Sequence, residues 1–146
     1  MICIKKGGRE FFLKVSRYEF FRGEREDLNW LFVKIGARLE DGLSWRAEGA
    51  YLQAGELVDF FEWLNLILSG SEVSRLEFVE GEVSFGYSLG EGFCVILDFS
   101  LHPKGDKYIY GCDSEYKIYF DLNELEFRRL SESVKKTIEE FPIRWG

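Results

Sequence analysis

The stretch Gly55 to Gly70, GELVDFFEWLNLILSG, constrains the fold more than any other part of the chain. Leu57, Phe60, Phe61, Leu64, Ile67 and Leu68 recur at the three- and four-residue spacing of a helix, while Glu56, Asp59 and Glu62 fall on the opposite side. About four turns of amphipathic helix result. Glu56 and Asp59 come early, where a carboxylate meets the positive end of the helix dipole, and Gly70 stands where the chain must leave in a left-handed turn. An apolar face this wide and this aromatic needs a broad partner, and the flanks of the helix on both sides read as β-strand. A sheet with the helix across one face is the first inference. Trp63 lies between the aromatic and acidic faces and is expected to be buried against that sheet.

Before the helix the pattern has period two. Ile2-Cys3-Ile4 and Glu10 to Phe21 flank the turn Lys5 to Arg9 and form a first hairpin, with Phe11, Leu13 and Val15 on one face. The charged run Arg22 to Asp27 is expected to reverse the chain in water. Leu28 to Leu39 places Leu31, Val33, Ile35, Ala37 and Leu39 on one face, and the Asp41-Gly42 turn signal returns it as Ser44 to Leu52. After the helix, strands over Val73 to Val79 and Val83 to Leu89 flank Glu80-Gly81-Glu82. Phe93, Val95, Leu97, Phe99 and Leu101 alternate as a further strand with one buried face. An irregular loop, His102 to Ser114, leads to a last strand at Tyr116, Ile118 and Phe120.

The period then changes to that of a closing helix carrying Leu130, Val134, Thr137, Ile138 and Phe141, N-capped by Asp121 or Asn123 and ended by Pro142. The order β-β-β-β-α-β-β-β-β-α, with hairpin-length turns, predicts an α+β fold. Its largely antiparallel, curved sheet has about eight strands and is packed by one central and one C-terminal helix. At 146 residues, with no repeat or linker, residues 1–146 read as a single domain.

Charge narrows the partners. Lys and Arg number 19 against 26 for Asp and Glu, a net charge of −7 that repels phosphate backbones and disfavours direct nucleic-acid binding. The same charge serves solubility and, at long range, favours a basic partner. No run approaches the roughly 18 apolar residues of a membrane span. The start MICIKKGG lacks a signal-peptide core, and Cys3, Cys94 and Cys112 cannot all pair within one chain, so a reduced, cytoplasmic protein is expected.

Candidate chemistry is sparse. His102 is the sole histidine and precedes a proline in a loop, where a solvated side chain is the usual finding. With Cys94 and Cys112 it forms C-x7-H-x9-C, whereas structural zinc sites favour cysteines two to four apart. No metal, cofactor or catalytic residue is assigned. Glu80 and Glu82 bracket a glycine at a hairpin tip, which suits solvated acids better than a carboxylate pair facing a cleft. Gly86 to Gly92 is glycine-rich but opens a strand, not a phosphate-binding helix. The segment Lys104 to Tyr110 mixes Lys107 with Tyr108 and Tyr110, as contact surfaces do.

The order of the landmarks Asn29-Trp30-Leu31, Ser44-Trp45, Trp63-Leu64, Leu76-Glu77-Phe78-Val79-Glu80 and Phe141-Pro142-Ile143-Arg144 resembles that of WapI-type immunity proteins. These are small bacterial proteins paired with contact-dependent polymorphic toxins. Gly81 replaces the proline expected after Glu80, and Gln53 to Glu56 lacks the family's threonine cap. The resemblance implies a non-enzymatic module that binds a protein partner, the toxic domain of a cognate effector. A basic toxin would meet the acids Glu56, Asp59, Glu62, Glu80 and Glu82, the expected partner-binding residues. Two alternatives remain. One is a hydrolase or small-ligand binder using a cleft in the curved sheet, with His102, Glu80 and the Lys104 to Tyr110 loop as its candidates; the other is a housekeeping homodimer joined through an edge strand.

Overall fold

Alternation of apolar residues builds the first half of the molecule as a meander. The computed structural model describes residues 1–22 and 27–145, so most of the expected reversal at 22–27 lies outside the described residues. Strands β1 (Ile2–Lys6), β2 (Arg9–Tyr18), β3 (Trp30–Arg38) and β4 (Ser44–Gln53) pair in sequence order, all antiparallel. The register sets Ile4 opposite Phe11 and Leu13 opposite Ile35, so one face of the sheet carries a continuous set of fully or nearly fully buried side chains. On the other face Phe12 lies across Gly36, its cross-strand partner; a Cβ at Gly36 would come within 2.3 Å of that ring, so a side chain there would require the Phe12 ring to move.

The central helix α1 (Ala54–Leu68) follows β4 without a loop. It ends as the sequence predicts: Gly70 has φ 81°, its N–H donates to the Ile67 carbonyl, and the Ser71 N–H donates to the Leu66 carbonyl. A second meander follows, β5 (Leu76–Glu77), β6 (Val83–Ser88), β7 (Gly92–Leu97) and β8 (Tyr116–Phe120), again antiparallel and in sequence order. The closing helix α2 (Glu124–Glu140) is capped by Asn123, whose side chain accepts from the Glu126 N–H at 2.8 Å while Glu126 accepts from the Asn123 N–H at 3.0 Å.

The α+β class, the antiparallel pairing and the two helices agree with the sequence reading. The eight strands are divided between two four-stranded sheets, neither of them closed, rather than forming one curved sheet. The division falls where α1 interrupts the meander. Three strand limits also differ, the first being that the strand expected over Glu10 to Phe21 ends at Tyr18. The strand expected over Val73–Val79 is reduced to Leu76–Glu77, and β7 stops at Leu97 instead of continuing through Leu101.

The core is an aromatic cluster joining both sheets and α1. Phe85 of β6 meets Phe11 of β2 edge-on at 6.2 Å, stacks on Phe60 of α1 at 4.2 Å, and contacts Phe93 of β7 at 5.8 Å. Helix α2 closes one side, with Phe127 edge-on to Phe93 and Tyr87, and Ser131 bonded to Asn65 of α1. Trp63 is buried as expected. Its ring lies beside Phe60 and Phe93, and its indole N–H donates to the Ser74 carbonyl at 2.8 Å, tying the helix to the segment that leads into β5. Trp63→Ala should therefore lower unfolding free energy by roughly 3–5 kcal/mol, through cavity formation and the orphaned carbonyl. Trp63→Phe, which retains most of the bulk, should cost less than half of that. Chemical denaturation of the two variants checks both values.

Candidate functional site

Glu56 occupies the third position of α1, and the structure corrects the expectation that it lines the exposed face. Only 8 % of it is exposed. One carboxylate oxygen accepts from the Gln53 N–H at 2.9 Å, closing the start of the helix; the other accepts from the Val79 N–H at 2.8 Å, fixing the chain after β5. The acidic face read from periodicity is thus split. Asp59 and Glu62 are exposed, whereas Glu56 turns back over the helix start, where its carboxylate accepts from two backbone N–H groups. The same Val79 bond removes a donor that a longer β5 would have used.

Glu56 also brings the two expected acidic patches together. Burial pushes its carboxyl above the usual range, opposed by the Val79 and Gln53 N–H groups and reinforced by the charges of Asp59 and Glu80. Glu80 in turn acts on Glu82, whose carboxyl is raised by burial and steadied by a 2.7 Å bond from the Ser100 hydroxyl. Asp59, Glu80 and Glu82 therefore form one acidic strip around the start of α1 and the turn before β6. Glu62 extends it one helical turn along.

Beyond Glu82 the chain departs from the alternation that the sequence suggested. Asp98 accepts from the N–H of Phe99 at 2.9 Å and caps a 3-10 turn over Phe99–Leu101. Phe99 is held at φ 50°, a left-handed conformation that a bulky residue adopts at a cost of about 1–3 kcal/mol. Its ring is partly exposed, instead of lying in the buried row with Leu97. It stacks on Tyr110 at 6.1 Å and meets Tyr108 edge-on at 6.5 Å.

His102 is buried, which corrects the expectation of a solvated ring. Its Nδ1 accepts from the Lys104 N–H at 3.1 Å, which leaves Nε2–H to donate to the Ser114 carbonyl at 2.9 Å. The imidazole thus joins both ends of the 104–114 loop and packs on Tyr108 at 4.9 Å. Asp113 accepts from the Ile109 N–H at 2.6 Å and from Lys104, whose ammonium holds its carboxyl below the usual range. The Tyr108 hydroxyl donates to Asp98 at 2.9 Å. Both ring nitrogens of His102 are engaged in holding this loop, which is a structural use of the residue.

The other candidates lie apart. Cys94 is buried in β7 while Cys3 and Cys112 are exposed, and among the described residues no three His, Cys, Asp or Glu side chains converge as metal ligands do. A cleft of about 440 Å³ lies between the end of α1 and the β6–β7 turn, walled by Ile67, Val73, Tyr87 and Leu89 with Glu72 as its charged residue. His102, Glu80 and the Lys104 to Tyr110 loop do not line it. No helix among the described residues is long and apolar enough to cross a membrane.

Two open antiparallel sheets, clasped by two helices and carrying an acidic strip beside a braced aromatic loop, define an α+β protein whose chemistry-bearing residues serve as struts. The chain belongs to the immunity protein WapI-like family, whose model matches residues 1–142. No curated protein matches it. Two of the landmarks that resemble the family, the Asn29 and the Arg144 segments, meet in space. The Asn29 side chain accepts from the Arg144 N–H at 2.7 Å and donates to its carbonyl at 3.2 Å, while the Asn29 carbonyl receives the Ala54 N–H at the start of α1. Arg144 also lies over the Tyr18 ring at 3.8 Å. Periodicity could not reveal the Phe99 turn, although an Asp followed by Phe-Ser-Leu and then Pro103 is a capping signal that competes with the strand.

The raised carboxyl of Glu56 fixes the sign of a pH effect. The folded state holds that proton more tightly than the unfolded chain, so the contribution of Glu56 to stability is full below the ordinary glutamate value of 4.5 and declines as pH rises through the raised folded value. Glu56→Gln should remove this decline, and Glu56→Ala, which orphans two backbone donors, should cost roughly 2–4 kcal/mol. Denaturation from pH 4 to pH 8 checks both; a Gln variant with an unchanged pH profile would contradict the assignment.

Proposed function

We propose that this chain is a non-catalytic immunity protein that binds the toxic domain of a cognate contact-dependent effector in the cytoplasm and covers its active site. Family membership across nearly the whole chain carries this reading. The arrangement of side chains supports it. Both ring nitrogens of the sole histidine are taken up by backbone partners, and the residues favoured by the ligand-binding alternative do not line the cleft beside α1. A net charge of −7 suits a basic toxin, because opposite charge speeds encounter and an acidic surface occupies the place of the phosphates a nuclease would bind.

Of the acids read from the sequence, Asp59, Glu62, Glu80 and Glu82 are the rim residues of that contact, and Glu56 supports them from beneath. Expression of the toxin domain alone should arrest growth, and co-expression of this chain should restore it. Continued arrest with both proteins present would overturn the reading.

The electrostatic part has its own signature. Association should be fast at low salt and slow markedly as salt rises, since exposed charges are screened over about 10 Å at 0.1 M. Joint reversal by Asp59→Lys and Glu62→Lys should lower the on-rate by about tenfold. Unfolding free energy should change by no more than about 0.5 kcal/mol, because both side chains are exposed and away from the core. Stopped-flow association measured across a salt series checks both effects.

A further inference from the structure

The loop between β7 and β8 presents apolar surface that the fold does not use. Tyr110 is 80 % exposed and Ile109 59 %, and the Tyr110 ring lies offset from the partly exposed ring of Phe99, with centroids 6.1 Å apart. Across from them, the Phe99 ring comes within 3.8 Å of where a side chain at Gly81 would begin, so this stack borders the Glu80-Gly81-Glu82 turn. Val79, also largely exposed, precedes that turn. The Ser100 hydroxyl binds Glu82, which joins the aromatic surface to the carboxylate directly.

The surface is braced from within. Tyr116, His102, Tyr108, Phe99 and Tyr110 form a chain of ring contacts running outward from β8, with successive centroids 4.9–6.5 Å apart. The His102, Asp98 and Asp113 hydrogen bonds close the loop at three points. A loop fixed this way loses little conformational freedom when it docks, which is the advantage of a preorganised aromatic contact. It also holds Phe99 in its left-handed backbone conformation.

Charge decides the kind of occupant. In this region the acids Glu80, Glu82, Asp98, Asp106 and Asp113 outnumber the lysines Lys104 and Lys107, and Lys104 is engaged by Asp113. Exposed ring faces beside carboxylates are complementary to a guanidinium, which stacks flat on an aromatic ring while its N–H groups reach an acid.

We infer that the Phe99–Tyr110 stack, with Ile109 and Val79 beside it and Glu80 and Glu82 at its edge, is the central docking surface for an arginine-bearing segment of the toxin domain. This rests on the proposed immunity role and goes beyond it in naming the anchor of the interface. Buried apolar contacts act mainly on dissociation and rim charges on association, so the two halves of the surface separate kinetically.

The test uses the full chain and a catalytically inactive form of its cognate toxin domain. Ile109→Ser with Tyr110→Ser changes two exposed side chains, and unchanged thermal melting confirms that the variant is folded. It should raise Kd by at least thirtyfold, chiefly through faster dissociation. Glu80→Lys should slow association about fivefold at low salt with little change in dissociation. Wild-type chain that binds while the Ile109/Tyr110 variant binds equally well would overturn the docking surface and leave the immunity role standing. Wild-type chain that does not bind the toxin domain at all would overturn both.

Discussion

Phe85 is the point on which the structure depends. It is fully buried and touches Phe11, Phe60, Phe78 and Phe93, so one ring joins β2 of the first sheet, α1, the turn after β5, and β7 of the second sheet. Each aromatic side chain buries about 150–250 Å² and prefers edge-on or offset contacts, which gives a directional core rather than a loosely packed one. Among the described residues the two open four-stranded sheets are joined by no backbone hydrogen bond across the α1 interruption, so side-chain packing and a few polar struts set their relation. Arg9 to the Tyr119 carbonyl at 2.8 Å and Glu56 to Val79 are such struts.

Most of the architecture was legible in the sequence because period and turn chemistry agree over long stretches. The order of eight strands and two helices, the Gly70 helix end and the burial of Trp63 follow from spacing and local bonding rules alone. The separation into two sheets was not legible, since alternation fixes which face of a strand is buried but not which strand lies beside which. Asn123 rather than Asp121 caps α2 because its side chain reaches the Glu126 N–H, and that geometry appears only once the helix is built.

The candidate site was less legible, for three physical reasons. Glu56 has the helical spacing of a surface acid, but its carboxylate folds back onto backbone donors at the start of its own helix and at Val79, which is 23 residues away in sequence. His102 reads as a solvated loop residue, yet both ring nitrogens find backbone partners that only the closed loop supplies. Phe99 completes an apolar alternation, yet the Asp98 cap turns the chain out of the sheet and leaves the ring at the surface. In each case a polar side chain bonding to nearby or returning backbone overrode the periodic signal.

The residues that carry charge and reactivity in this protein are largely occupied in bracing it, while Ile109, Tyr110 and Glu80 are exposed on the neighbouring loop and turn. That division fits a protein whose work is to present a fixed surface. The most direct measurement is a titration of the cognate toxin domain's activity with increasing amounts of this chain. Inhibition should be complete at one equivalent, with a sharp stoichiometric break and no turnover of the inhibitor. Toxin activity that persists at a tenfold excess, or that declines only in proportion to incubation time as an enzyme would make it, would contradict a role as a stoichiometric blocking partner.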